Sequence, residues 1–158
     1  MKLSIKKGVS VGLTSGVITT LGLIVGLTSG TGSKLVVLGG IITIAIADAF
    51  SDALGMHISE EAENKHTTRE IWESTISTFL AKFVFALTFI IPILLFNLSL
   101  AVIVSIIYGL LVLSIISYNM AKEQKTKPLQ VIGEHLFIAV VVIIITHFVG
   151  NYISIIFG

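Results

Sequence analysis

Two aspartates, Asp48 and Asp52, stand four residues apart in the segment IADAFSDALG, which closes an apolar run that begins near Leu35. A carboxylate in hydrocarbon costs roughly 2.5–3.5 kcal/mol on insertion scales, so two in one segment call for an offsetting cation. At about 100° per residue, Asp48, Asp52, Gly55, Met56, Ser59, Glu63, His66 and Glu70 share a sector of about 100° on a continuous helix. Hard carboxylate oxygens on one face, with the softer Met56 thioether beside them, suit a divalent ion such as Mn²⁺ or Fe²⁺. A structural partner is also at hand. Lys82 lies about two turns into the next apolar segment and can reach the level of Asp48. One lysine is expected to neutralise only one aspartate, and Lys82 can instead snorkel to the interface, so an ion path and a structural ion pair both stay open.

A second group follows. Glu63 and His66 form a Glu-x-x-His step, Glu70 comes one turn later, and Glu60 and Glu61 lie nearby. Facing Glu-x-x-His helices hold di-metal centres in bundles, but there several helices contribute. With one such step, the readings are a solvated face with internal charge pairs, a defined metal site, or a loose acidic collector that raises the local cation concentration. The collector is preferred. Ser15 and Thr19, a turn apart near the start of the chain, offer neutral oxygens and with Ser59 complete the candidate path. His147 and Asn151, four apart, read first as an interhelical hydrogen bond. No nucleophile paired with a base, P-loop or zinc-protease motif is present, so no enzyme is expected.

The elements that must position these residues are set by composition. Of 158 residues 54% are hydrophobic and 12% charged, against about a quarter charged in a soluble domain. With a mean hydropathy of +1.03, the chain reads as a multi-pass integral membrane protein, in the cell membrane if the source is prokaryotic. Five spans are expected, at roughly 9–29, 34–55, 76–96, 98–118 and 131–157, in a single all-α bundle over 1–158. The polar stretch 56–75 contains little that breaks a helix, so an acidic extension of the second span into water is expected. Lys2, Lys6, Lys7, Lys65, Arg69, Lys122, Lys125 and Lys127 fall on one side and Lys34 alone on the other, which predicts the N-terminus inside and the C-terminus outside. The net charge of +1, spread between spans, speaks against a nucleic-acid partner. With no cysteine, disulfides and thiolate metal sites are excluded. Gly8, Gly12 and Gly16, then Gly22, Gly26 and Gly30, form two sets spaced by four, the pattern of close helix packing. Pro92 is expected to kink the third span and free the carbonyl near Thr88.

Several stretches resemble the vacuolar iron transporter family. GLTSGVITTLGLIVGL is similar to its first helix, ALGMHIS to its second, FALTFIIPILL to its proline-bearing third, and KPLQVIGEHLFIAVVVIIITHFVGNYI to its last. The resemblance implies a five-helix protomer, N-terminus in the cytoplasm, paired as a homodimer with the metal path between the first helices and their neighbours. It implies export of Fe²⁺ or Mn²⁺ in exchange for protons, the metal being cargo and no cofactor being permanently bound. The chain departs from the pattern in three ways. Ser15 stands where the family has an aspartate. Asp52 and Met56 stand where it has methionine and then glutamate, and Asp48 is an added carboxylate. The family's cytoplasmic metal-binding domain is reduced to the stretch Glu60–Glu73, so the resemblance is to a divergent, short form. In a symmetric dimer Asp48 and Asp52 would present four carboxylates to one or two ions. The rival expectation is a non-transporting membrane scaffold in which Asp48 and Lys82 form a structural pair.

Overall fold

A computed structural model describes residues 2–158, and every regular element in them is helical: α1 Leu3–Thr31, α2 Lys34–Ala62, α3 Thr68–Thr88, α4 Ile90–Leu95, α5 Leu98–Glu123 and α6 Pro128–Phe157. With α3 and α4 forming one interrupted rod, five helices are long and apolar enough to cross a membrane. Their outward faces agree with that setting. Ile42, Ile46, Phe50, Leu54 and Ile58 form one exposed row along α2, and Ile103, Ile107, Leu111 and Ile115 another along α5. Apolar rows of this length are not left facing water in soluble monomers.

Local signals explain each joint. Gly32 ends α1 in the left-handed conformation (φ 59°), its N–H bonded to the Thr28 carbonyl, and Ser33 caps α2 by accepting from the Val36 N–H. Glycine takes that φ without a Cβ penalty, and serine answers an orphan N–H, so two residues suffice for the reversal. Asn97 caps α5 in the same way, and Pro128 opens α6 where its missing N–H costs nothing. Pro92 has no N–H for the Thr88 carbonyl, and the helix breaks at Phe89. Lys34 donates to the carbonyls of Leu94 and Phe96 at 3.2 and 3.0 Å, satisfying the orphan acceptors at the end of α4.

The expected helical extension over 56–75 is corrected. α2 runs on only to Ala62; Asn64 turns the chain with φ 50°, and α3 begins at Thr68 rather than near 76. The reason is a capping box, in which the Thr67 hydroxyl accepts from the Glu70 N–H while Glu70 accepts from the Thr67 N–H at 2.9 Å. Glu70 therefore belongs to α3 and leaves the stripe drawn on one continuous helix.

α1 is the central strut, packed against α2, α3, α5 and α6. Its two glycine sets serve different neighbours. A Cβ on Gly12 would sit 2.5 Å from the Thr78 carbonyl oxygen and 3.1 Å from Ala81 Cβ, and one on Gly8 would collide with Ser77 and Ser74. Gly22, Gly26 and Gly30 instead face Val142, Thr146 and Gly150 of α6. In both seams contacts advance in the same direction along the two chains, so α1 runs parallel to α3 and α6. Bare backbone strips of this kind let helices approach where lipid removes the usual hydrophobic drive.

Candidate functional site: a lysine held by two aspartates

The α1–α3 seam delivers Lys82 to the middle of the fold. It is 1% exposed, the largest fully buried side chain among the described residues. Gly16 lies against its stem, where a Cβ would be in ordinary contact at 3.5 Å from Lys82 Cγ. Its Nζ is 2.5 Å from Asp48 Oδ2 and 2.6 Å from Asp52 Oδ2, and it donates to Ser15 Oγ at 2.9 Å. Of its three N–H donors two make hydrogen bonds, to Ser15 Oγ of α1 and Asp52 Oδ2 of α2, while Asp48 Oδ2 stands at ion-pair distance without one. The two aspartate side chains are 27% and 25% exposed, so the cation is enclosed while part of each carboxylate faces outward.

Lys82 lies between both aspartates, and its single charge is shared by the two instead of being given to Asp48 alone. Helix spacing explains the pair: residues four apart on α2 stack one above the other, and a flexible lysine stem reaches between them. The trio keeps a net charge of −1. Ser15 is an acceptor beside the ammonium, and Thr19 Oγ1 is turned back to the Ser15 carbonyl at 2.9 Å. Met56 is buried one turn beyond Asp52, whereas Ser59 is exposed.

Towards the end of the bundle where α1 begins, the second group assembles differently from the single helical face expected. Glu60 ends α2 almost fully buried, Glu63 caps it, and the turn brings His66 back over both, with Nε2 3.3 Å from Glu60 Oε2 and 3.3 Å from Glu63 Oε2. One ligand atom from each of the three lies within 4.8 Å of the others. Lys7, absent from the sequence-based site, enters the same group from α1, ion-paired with Glu60 and 3.6 Å from Glu63. A hydrogen bond from His66, and then the Lys7 charge, hold the Glu63 carboxyl below its ordinary value. Glu63, His66, Glu60, Ser10 and Met120 line a cleft of 550 Å³ between α1, α2 and α5. A neighbouring cleft shares Ser10, Val11 and Met120 with it and continues along α1 past Thr14, Ser15 and Thr19 to His135 of α6.

The other sequence-selected polar residues make structural bonds. His147 joins Ser29 at 2.7 Å and Asn151 at 3.1 Å, an interhelical link as expected. Thr88 meets the Tyr108 hydroxyl at 3.1 Å, beside the Pro92 break.

The fold and site define a bundle with the helices of a membrane protein and a fully buried ammonium in a carboxylate cradle. Compared with known proteins, the chain matches no protein-family model and no curated protein. The likeness to vacuolar iron transporters rests on the helix motifs quoted above.

Proposed function

We propose that this chain is a membrane transporter that moves a divalent cation, Fe²⁺ or Mn²⁺, out of the cytoplasm in exchange for protons, acting as a homodimer. The observation that carries the reading is the cradle at Lys82: two carboxylates and a hydroxyl already hold one cation inside an apolar bundle. Ionisable groups within apolar spans mark ion paths by default. In this reading the basic end faces the cytoplasm by the lysine and arginine bias, and cargo approaches along the cleft past Glu63 and His66. Ser15, next to the cradle, occupies the position of the family's first-helix aspartate.

The charges give a reason for exchange. Two carboxylates with an ammonium sum to −1; with a dication they sum to zero. A dication arriving beside the ammonium places like charges together, so the lysine must move out or release a proton. Where the lysine releases its proton, metal moving one way is tied to a proton moving the other.

One observation favours the scaffold reading: the Lys82 ammonium, hydrogen-bonded to Ser15 and Asp52 and ion-paired with Asp48, ties α1, α2 and α3 together without any metal. Flux of Fe²⁺, Mn²⁺, Co²⁺ and Ca²⁺ into proteoliposomes across a pH gradient separates the two. A transporter gives metal flux with counterflow of protons, lost in Asp48→Asn and Asp52→Asn. Flux absent for every ion, or unchanged in both variants, removes the proposal.

A further inference from the structure

The cluster at the basic end repeats the construction of the deep one, with a releasable lysine. Glu60 is 1% exposed, and its Oε1 is buried with no partner besides the Lys7 ammonium. A buried carboxylate aimed into a cleft is costly unless a cation stays with it. The Lys7 side chain that supplies this cation is itself 42% exposed, whereas that of Lys82 is 2% exposed. Lys7 thus meets Glu60 from the cleft side, with part of its side chain open to solvent.

We infer that Lys7 is a built-in competitor for a divalent cation at Glu60, Glu63 and His66, so that cation binding there releases the first turns of α1 from the end of α2. The inference rests on the transport reading for its purpose, because it places a gate at the inner mouth. Its chemistry stands on the cluster alone. Two carboxylates and an imidazole within 4.8 Å offer the mixed O and N donors that Mn²⁺ and Fe²⁺ accept. A monovalent ion replacing Lys7 gains no charge over the ammonium, whereas a dication brings the pair of carboxylates to neutrality. Lys7 thus sets a preference for dications. Lys2 and Lys6 keep α1 tied to α3 and α5 through Glu73 at 2.5 Å and Glu123 at 2.8 Å, so release is confined to the α1–α2 contact.

The test is Mn²⁺ binding to the purified full chain in detergent, followed by the electron paramagnetic resonance signal of free Mn²⁺. Binding that persists in Glu63→Gln/His66→Ala belongs elsewhere and is subtracted. Removal of the competing charge in Lys7→Met is expected to tighten the remaining site by about tenfold, while Lys7→Arg leaves it near wild type. Equal or weaker binding in Lys7→Met overturns the inference, as does the absence of any component that depends on Glu63 and His66. Either failure leaves the flux test at Asp48 and Asp52 untouched. Loss of flux with the Lys7→Met effect intact would instead count against transport alone.

Discussion

Along α2 the protein twice sets a lysine from another helix against two carboxylates, Lys82 with Asp48 and Asp52 and Lys7 with Glu60 and Glu63. The residue types match, and the surroundings do not. At the deep site the lysine is buried, and the Ser15 hydroxyl accepts from its ammonium beside Asp52. At the end site the lysine reaches in from a cleft, and an imidazole takes the place of the hydroxyl. With two acids at each site, what differs is the cation, buried at one and partly exposed at the other.

That contrast is broken most forcefully at Lys82. Lys82→Ala leaves two carboxylates without their cation in an apolar seam, which should cost about 3–5 kcal/mol and be read as a large drop in the midpoint of thermal unfolding in detergent. Lys7→Ala should cost less, because the Lys7 side chain is partly solvated while that of Lys82 is enclosed, even with Glu60 left buried without its ammonium. Equal losses at the two positions would show that burial does not distinguish them.

The α1–α3 seam is the next target. Gly12→Ala drives a Cβ against the Thr78 carbonyl, and separation of α1 from α3 should cost about 1–3 kcal/mol. Gly55→Ala, whose added Cβ would meet nothing within 4 Å, is the clash-free control in the same unfolding assay and should be as stable as wild type or slightly more so. A smaller effect belongs to the turn that folds His66 back over the acids. Thr67→Ala removes the cap of α3 and should cost about 1 kcal/mol, with faster amide exchange confined to the residues after Thr67.

The smallest effect is a pH dependence at the end site. The Glu63 carboxyl is held below its ordinary value of 4.5 in the folded chain. Its ties to His66 and Lys7 are therefore fully present above the ordinary glutamate range and lost as pH falls through the depressed value. Amide exchange across the turn 63–67 should quicken over that acid range in the native chain, and the step should vanish in Glu63→Gln. Persistence of the step in the variant would assign it to another group.

Much of this was legible in the chain, for stated reasons. Span number followed from apolar length, and the two glycine sets announced close packing because spacing by four marks one helix face. The partners of those glycines, α3 for one set and α6 for the other, were hidden, since a strip says nothing of what covers it. The turn after Ala62 was missed although Thr67 and Glu70 spell a capping box; with no glycine or proline nearby, the stretch read as continuous helix. Lys82 was seen as a partner for Asp48, yet its reach to Asp52 and Ser15 depends on how close α1, α2 and α3 come. Lys7 went unnoticed among the basic residues that predict orientation.

The central claim is that the deep cradle serves passing cations and not only the packing of α1, α2 and α3. Manganese flux in proteoliposomes by the neutral variant Asp48→Asn/Asp52→Asn/Lys82→Met, whose helical content and thermal unfolding are first matched to wild type, tests it most directly. The account predicts a folded bundle with Mn²⁺ flux at the level of empty liposomes, against clear flux in wild type. Equal flux in the two proteins would contradict it.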